Sequence, residues 1–427
     1  MSEDTRDLLV RGIAAARANS KDEARFYFKW VLRASDAEAE QIIEAWRGLA
    51  DVCDDPKEKR ECLEHLLAYN PADPEARRGL ALLDGRLKPE DVVDPDHLPA
   101  PVAQPPPAVR RYVCPQCGGK MAFTPDGNAL TCAYCGRREW LANVSGGGTP
   151  VEEQDFTIAL ATARGHTKPS AMCAIKCQGC GASFVLAPET ISTTCAYCGS
   201  TYVAEQIETR ELIEPEGIVP FVVNRDQALQ AVLAWFRAEK LSLRGYPVPP
   251  NGVYLPVWTF DVAGEVEWNC LQEENDVWLP ASGSRVIYEN DLLVPASHTL
   301  SAALIDELNA FPLDNLVPYD TRYLVDWLAE TYEIAVGDAS LVARWRILDR
   351  EKKAIPTTFL KPYKDLQTSS TRLTIESYKL ILLPLWIAHY RMGGKQYTMV
   401  VNGRTGNLRG EKPVEGVRKI LSGLLGN

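Results

Sequence analysis

No run in this sequence reaches the roughly 18–20 apolar residues that a helix needs to cross a bilayer. The most apolar stretch, "LILLPLWIA" (Leu380–Ala388), is far shorter and is interrupted by Pro384. The acidic start, "MSEDTRDLL", lacks both the basic residues and the apolar run of a secretory signal. A cytoplasmic protein without a membrane partner is therefore expected, with its thiols kept reduced. Positive charge is also short. The 427 residues carry a formal net charge of −11, which argues against coating nucleic acid or anionic lipid by bulk attraction.

Catalytic signatures are missing as well. The chain has no G-x-x-x-x-G-K-[ST] phosphate loop, no H-E-x-x-H and no G-x-S-x-G. Only five His are present, and His298 and His389 lie in strand-like sequence without an evident partner. The expectation is a protein that is not an enzyme, and specifically not an ATPase or helicase.

Cysteine is plentiful. Eight of the twelve Cys form four C-x-x-C pairs: Cys114/Cys117, Cys132/Cys135, Cys177/Cys180 and Cys195/Cys198. Each pair is followed by Gly (Gly118, Gly136, Gly181, Gly199), which supplies a positive φ without strain and frees nearby backbone N–H groups for the sulfurs. The loop from Cys117 to Cys132 is as long as that from Cys180 to Cys195, and "TCAYCG" occurs in both units, at Thr131–Gly136 and Thr194–Gly199. Short alternating stretches leave the pairs: "KMAFT" and "RREWL" in one unit, "ASFVL" and "STYVA" in the other. The pattern reads as two zinc ribbons, each closed by four thiolates and hence structural. An iron–sulfur cluster is the competing use of such a set, and the ribbon spacing favours zinc. Cys53, Cys62 and Cys270 read as packing residues, and Cys173 as a free Cys or a substitute ligand.

Residues 1–87 carry the 3.6-residue period of helices. Four segments, "DTRDLLVRGIAAARAN", "KDEARFYFKWVLRA", "AEQIIEAWRGLADV" and "PKEKRECLEHLLAYN", precede a fifth, "PEARRGLALL". A spacing of about 35 residues between similar helix ends resembles degenerate tetratricopeptide repeats, which bind partner segments on a stacked surface. Residues 88–109 form a Pro-rich linker, 110–142 the first ribbon, 143–171 a linker with a short helix in "EEQDFTIALATARG", and 172–210 the second ribbon. An α+β domain follows over 211–427, so the fold class is a multidomain α+β protein. Within it, Leu-Pro-x-Trp recurs at Leu255–Trp258 and Leu383–Trp386. Each copy leads into an alternating strand, a Gly turn and a return, a duplicated antiparallel β unit in one sheet. Helices are expected over "RDQALQAVLAWFRAEK", "LVDWLAETY" and "ASLVARWRILDREKK", and positive φ at Gly403 and Gly406.

Five segments together, "EEQDFTIALATARGH", "CQGCGASFVLAPETISTTCAYC", "EPEGIVPF", "GVYLPVWTFD" and "LLPLWIAHYRMGGKQYTMVVNGRTGNLRGEKP", carry a wider likeness. Over Asp155–Lys419 the chain resembles uncharacterised bacterial zinc-ribbon proteins, often labelled primosomal protein N-prime-like or transcription-factor-IIB-type zinc ribbon proteins. The resemblance implies architecture; it implies no activity, because the phosphate loop of a helicase motor is absent. Two functions are weighed. One is a zinc-binding adaptor that engages protein partners through its helical repeats or ribbons. The other is a nucleic-acid accessory factor using Arg110, Arg111, Lys120, Arg137 and Arg138 beside Phe123, Tyr134 and Trp140. The adaptor is favoured.

Overall fold

Helices open the chain in the computed structural model, which describes residues 5–34, 36–70, 73–92, 114–117, 121–123, 129–132, 134–140, 151–162, 165, 174–177, 182–185, 192–197, 201–203, 213–241, 249–299, 311–324, 327–392 and 395–412. The first five are α1 (Thr5–Arg17), α2 (Lys21–Val31), α3 (Ala39–Val52), α4 (Pro56–Tyr69) and α5 (Pro74–Leu83). Two start on the same device. Asp55 and Asp73 accept hydrogen bonds from the first free backbone amides, and Pro56 and Pro74 fill the first helical position. The fully buried Phe28 of α2 fills the centre of this layer. Its ring lies against Gly12 of α1 and Gly48 of α3, where any Cβ would sit within 2.7 and 2.3 Å of ring atoms. Arg47 Nη2 reaches the buried Asp73 carboxylate at 2.7 Å and ties α3 to the start of α5.

A three-stranded antiparallel sheet follows, from β1 (Met121–Phe123), β2 (Ala129–Cys132) and β3 (Arg138–Trp140). Then come β4 (Gln154–Asp155), α6 (Phe156–Ala161), β5 (Ala174–Lys176), β6 (Ser183–Val185), β7 (Ser192–Thr194) and β8 (Thr201–Val203). The remainder runs β9 (Gly217–Ile218), α7 (Arg225–Ala238), β10 (Asn251–Glu274), β11 (Val277–Pro295), β12 (Val317–Pro318), β13 (Leu328–Glu330), α8 (Val336–Ala354), β14 (Tyr363–Met392), β15 (Lys395–Asn402) and β16 (Leu408–Gly410). Eleven of the described strands form one sheet with the path β12-β9-β14-β10-β13-β6-β5, while β7 and β8 pair only with each other. β11 pairs with β10; β15 and β4 pair with β14, and β16 with β15. The chain is thus mixed α+β, with helices first and a large sheet behind them.

The two Leu-Pro-x-Trp motifs sit at the centre of that sheet. β10 and β14 pair antiparallel with Leu255 opposite Leu383, so each motif begins across from the start of the other. A local two-fold axis passes between them, and the surroundings obey it. β13 runs parallel to β10 with Leu328 beside Val253, and β9 runs parallel to β14 with Gly217 beside Ile381. Each half therefore lends its leading strand to the other half's long strand. Trp258 Nε1 donates to the Ile334 carbonyl at 2.8 Å, and Trp386 Nε1 to the Val223 carbonyl at 2.9 Å. The same rings meet Tyr332 and Phe221 edge-on, at 5.5 and 5.4 Å. The Ala296 and Gly403 amides close on Pro256 and Pro384 at 3.0 and 2.8 Å.

Three expectations need correction. The segment "LVDWLAETY" is not helical across Leu328–Glu330, where it forms β13. Its helical pattern yields to a position between β10 and β6, where its backbone groups find sheet partners. Gly264 does not turn the first hairpin. It lies inside β10 at φ +132, where a Cβ would stand 2.0 Å from the Arg372 carbonyl oxygen. The turn is made by Asn275 and Asp276 at φ 52 and 62, residue types that tolerate left-handed backbone. Gly406 has positive φ as expected, at 79, but Gly403 does not: it is required because a Cβ would lie 2.6 Å from the Phe221 ring.

Candidate metal centre

Cys114, Cys117, Cys132 and Cys135 converge, with one sulfur from each lying within 4.8 Å of all the others. Cys114 and Cys135 are 3.4 Å apart and Cys117 and Cys132 3.5 Å apart. Bonds of about 2.3 Å to a tetrahedral zinc place sulfurs about 3.8 Å apart, so the four thiols fit one such ion. β2 carries Cys132 into the site. The turn behind it closes through the Gly136 amide on the Cys132 carbonyl at 3.0 Å, and Gly136 takes φ +70. The Cys135 amide, against burial and with help from the Tyr134 amide, pulls the Cys132 thiol down to about 6. Burial pushes the Cys114 thiol up, but the Gln116 and Cys117 amides outweigh it and leave it below its usual value. Thiols so lowered reach the anionic, ligating form more easily.

Half of the second set falls outside the described residues: Cys180 and Cys198. Cys177 and Cys195 are both buried, in one cluster with Phe184, Tyr197, Leu255 and Leu383. Cys173, Arg110, Arg111 and Lys120 also lie outside the described residues. Arg137 and Arg138 are exposed. Cys53, Cys62 and Cys270 are buried, as packing residues should be. His389 does have a neighbour, since its Nδ1 lies 3.3 Å from Thr398 Oγ1. A second group of acidic side chains, Glu153, Asp261 and Asp291, also converges. Lys379 already stands among them, 3.0 Å from Glu153 and 2.6 Å from Asp291, and supplies the positive charge itself.

The two copies of "TCAYCG" meet opposite fates. In the second, Tyr197 is 6 % exposed, and its hydroxyl donates to Glu330 Oε2 at 2.5 Å. Its ring stacks on Phe184 at 5.8 Å, and Ala196 beside it is fully buried. β6 carries Phe184 and pairs with β13, placing Phe184 across from Glu330. In the first copy, Tyr134 is 81 % exposed. Trp140, two residues beyond Arg138 on β3, is 63 % exposed. Glu139, between them, meets Arg322 at 3.3 Å.

Glu330 itself carried no signal in the sequence. It is 2 % exposed, also accepts from the Thr299 hydroxyl, and burial raises its carboxyl to about 7 against the pull of Thr299 and Tyr197. Under the two-fold axis its counterpart is Val219, a core residue, because Ile218 and Ala329 hold equivalent registers. The duplicated frame could have revealed it: one half keeps an apolar residue where the other buries an acid.

No protein family's sequence profile matches the chain, and no solved structure matches it. It is similar to the uncharacterized protein YdjG of Bacillus subtilis (strain 168), 27 % identical over 322 residues, a match that covers 71 % of this chain and 90 % of that protein.

Proposed function

We propose that this protein is a non-enzymatic, zinc-binding adaptor of the cytoplasm. Two structural zinc ions are held in two ribbons, one by Cys114, Cys117, Cys132 and Cys135, the other by Cys177, Cys180, Cys195 and Cys198. The tetratricopeptide-like helices and the first ribbon present surfaces to protein partners, and the α+β domain holds them in place. The observation that carries this reading is a closed four-thiol centre beneath an uncovered surface. Four thiolates leave no coordination position for water or substrate, so the metal shapes the module and does no chemistry. Around it Tyr134 and Trp140 face solvent, and exposed aromatics are the residues that dominate protein interfaces.

The test compares full-length protein with a Tyr134→Ala/Trp140→Ala variant, purified from a host with its natural partners. Both should keep the same zinc content, and a nuclease-resistant protein partner should be lost from the variant alone. Equal recovery from both, or ATP hydrolysis above background, refutes the adaptor.

A second reading, a nucleic-acid accessory factor, is favoured by Arg137 and Arg138 standing exposed beside the same two aromatics. Arg110, Arg111 and Lys120 would extend the basic path. Anisotropy titrations of single-stranded DNA and RNA at two salt concentrations separate the readings. Nanomolar binding that Arg137→Ala/Arg138→Ala abolishes, with a steep salt slope, selects this one.

A further inference from the structure

The second hexapeptide shows what this knuckle sequence packs against when it is covered. Its Tyr197 hydroxyl meets a carboxylate, Glu330, on an extended strand whose neighbour Ala329 is buried. The ring stacks on Phe184 of its own four-Cys unit. From outside that unit it shares a cluster with Leu255 and Leu383, against which Leu328 of the same strand as Glu330 packs. The first hexapeptide has the same six residues and the same donor, yet its tyrosine is uncovered. We propose that Tyr134 and its neighbours dock a protein segment of the kind that covers Tyr197: an extended, apolar stretch bearing a carboxylate.

Charge supports an acidic occupant. Residues 137 and 138 are both arginine and exposed, while the matching positions after the second hexapeptide, Ser200 and Thr201, are neutral. The one acidic side chain in this stretch, Glu139, is already engaged by Arg322. The first surface therefore keeps the hydroxyl that receives a carboxylate and adds two guanidinium groups that attract one. Trp140, on the same strand face as Arg138, supplies the apolar contact that the interior of the sheet supplies to the second copy. A nucleic acid would also meet arginines and aromatics here; the carboxylate against Tyr197 is what favours a protein segment.

This proposal rests on the adaptor reading and narrows its partner. The probe is a fluorescein-labelled peptide with the sequence of residues 326–334, "DWLAETYEI", which contains the strand that covers Tyr197. It is titrated with zinc-loaded, full-length protein. Saturable binding is expected, weakened at least tenfold when Gln replaces the Glu of position 330 in the peptide. The same loss is expected in the Tyr134→Phe protein, whose zinc content should be unchanged, and in Arg137→Ala/Arg138→Ala. No saturation up to millimolar peptide, or equal binding by Tyr134→Phe, overturns the proposal. So does displacement of the peptide by a single-stranded oligonucleotide at lower concentration, or a self-association that Tyr134→Phe abolishes. If the peptide fails while Tyr134→Ala/Trp140→Ala still loses a co-purifying protein, the adaptor stands and this account of its partner falls.

Discussion

Replacing Glu330 by Gln should change how stability responds to pH more than it changes stability at any one pH. The carboxyl has an unperturbed value of 4.5 and is raised to about 7 in the fold, chiefly by burial. The folded protein therefore keeps a proton that the unfolded chain has lost between those values. Stability from this residue is fully present below about 4.5, declines as pH rises through the window, and levels off above about 7. A displacement of this size, at about 1.4 kcal/mol per unit, amounts to about 3 kcal/mol across the whole window. Between pH 5 and pH 8 most of it, about 2 kcal/mol or more, should appear. The assay is urea unfolding followed by tryptophan fluorescence, in wild type and Glu330→Gln at both pH values. Comparing the two proteins at each pH cancels every effect of acid that they share. The variant should gain on the wild type as pH rises. An equal difference at the two pH values, or a variant that gains at low pH, refutes a carboxyl raised by burial beneath Tyr197.

The two-fold axis predicts equal costs for equivalent changes: Trp258→Phe and Trp386→Phe should each lose about 2 kcal/mol, by orphaning the Ile334 or Val223 carbonyl, and unequal urea midpoints would tell against the symmetry. Gly48→Ala should destabilise the helical layer by about 1–3 kcal/mol, since a Cβ there meets the Phe28 ring; circular dichroism melts should show recovery when Phe28→Leu is added. Elemental analysis should give two zinc ions per chain and one in Cys132→Ser, whereas iron with visible absorbance would remove the zinc assignment. ATP hydrolysis should stay at background with or without DNA, because no nest of backbone amides is available from a phosphate loop.

Local pattern made much of this architecture legible. The five N-terminal helices follow from their apolar period, and the four thiols from spacing alone. Leu-Pro-x-Trp announced two related strands but not their arrangement. Which strand lies beside β10 depends on a pairing between halves, and a three-residue segment such as β13 has too little period to declare itself. "LVDWLAETY" misleads for that reason: its helical spacing is real, and the sheet overrides it. The differing exposure of Tyr134 and Tyr197 was equally hidden, because identical sequences cannot reveal what lies above them. Glu330 reads as an ordinary surface acid until the fold shows that Val219 holds the same place in the other half.

The exchange of leading strands between the halves has a consequence for how the chain must be made. Synthesis is vectorial, so β9 and β10 leave the ribosome long before β14, the strand on which both depend. At about 5–20 residues per second, the roughly 130 residues from Leu255 to Leu383 leave the first half waiting for roughly 6–25 s. Throughout that interval a long strand carrying Val253, Leu255, Val257 and Phe260 has no β14 to cover it. The nascent chain should therefore be a chaperone client during translation, and chains truncated before residue 380 should aggregate rather than fold as an independent half.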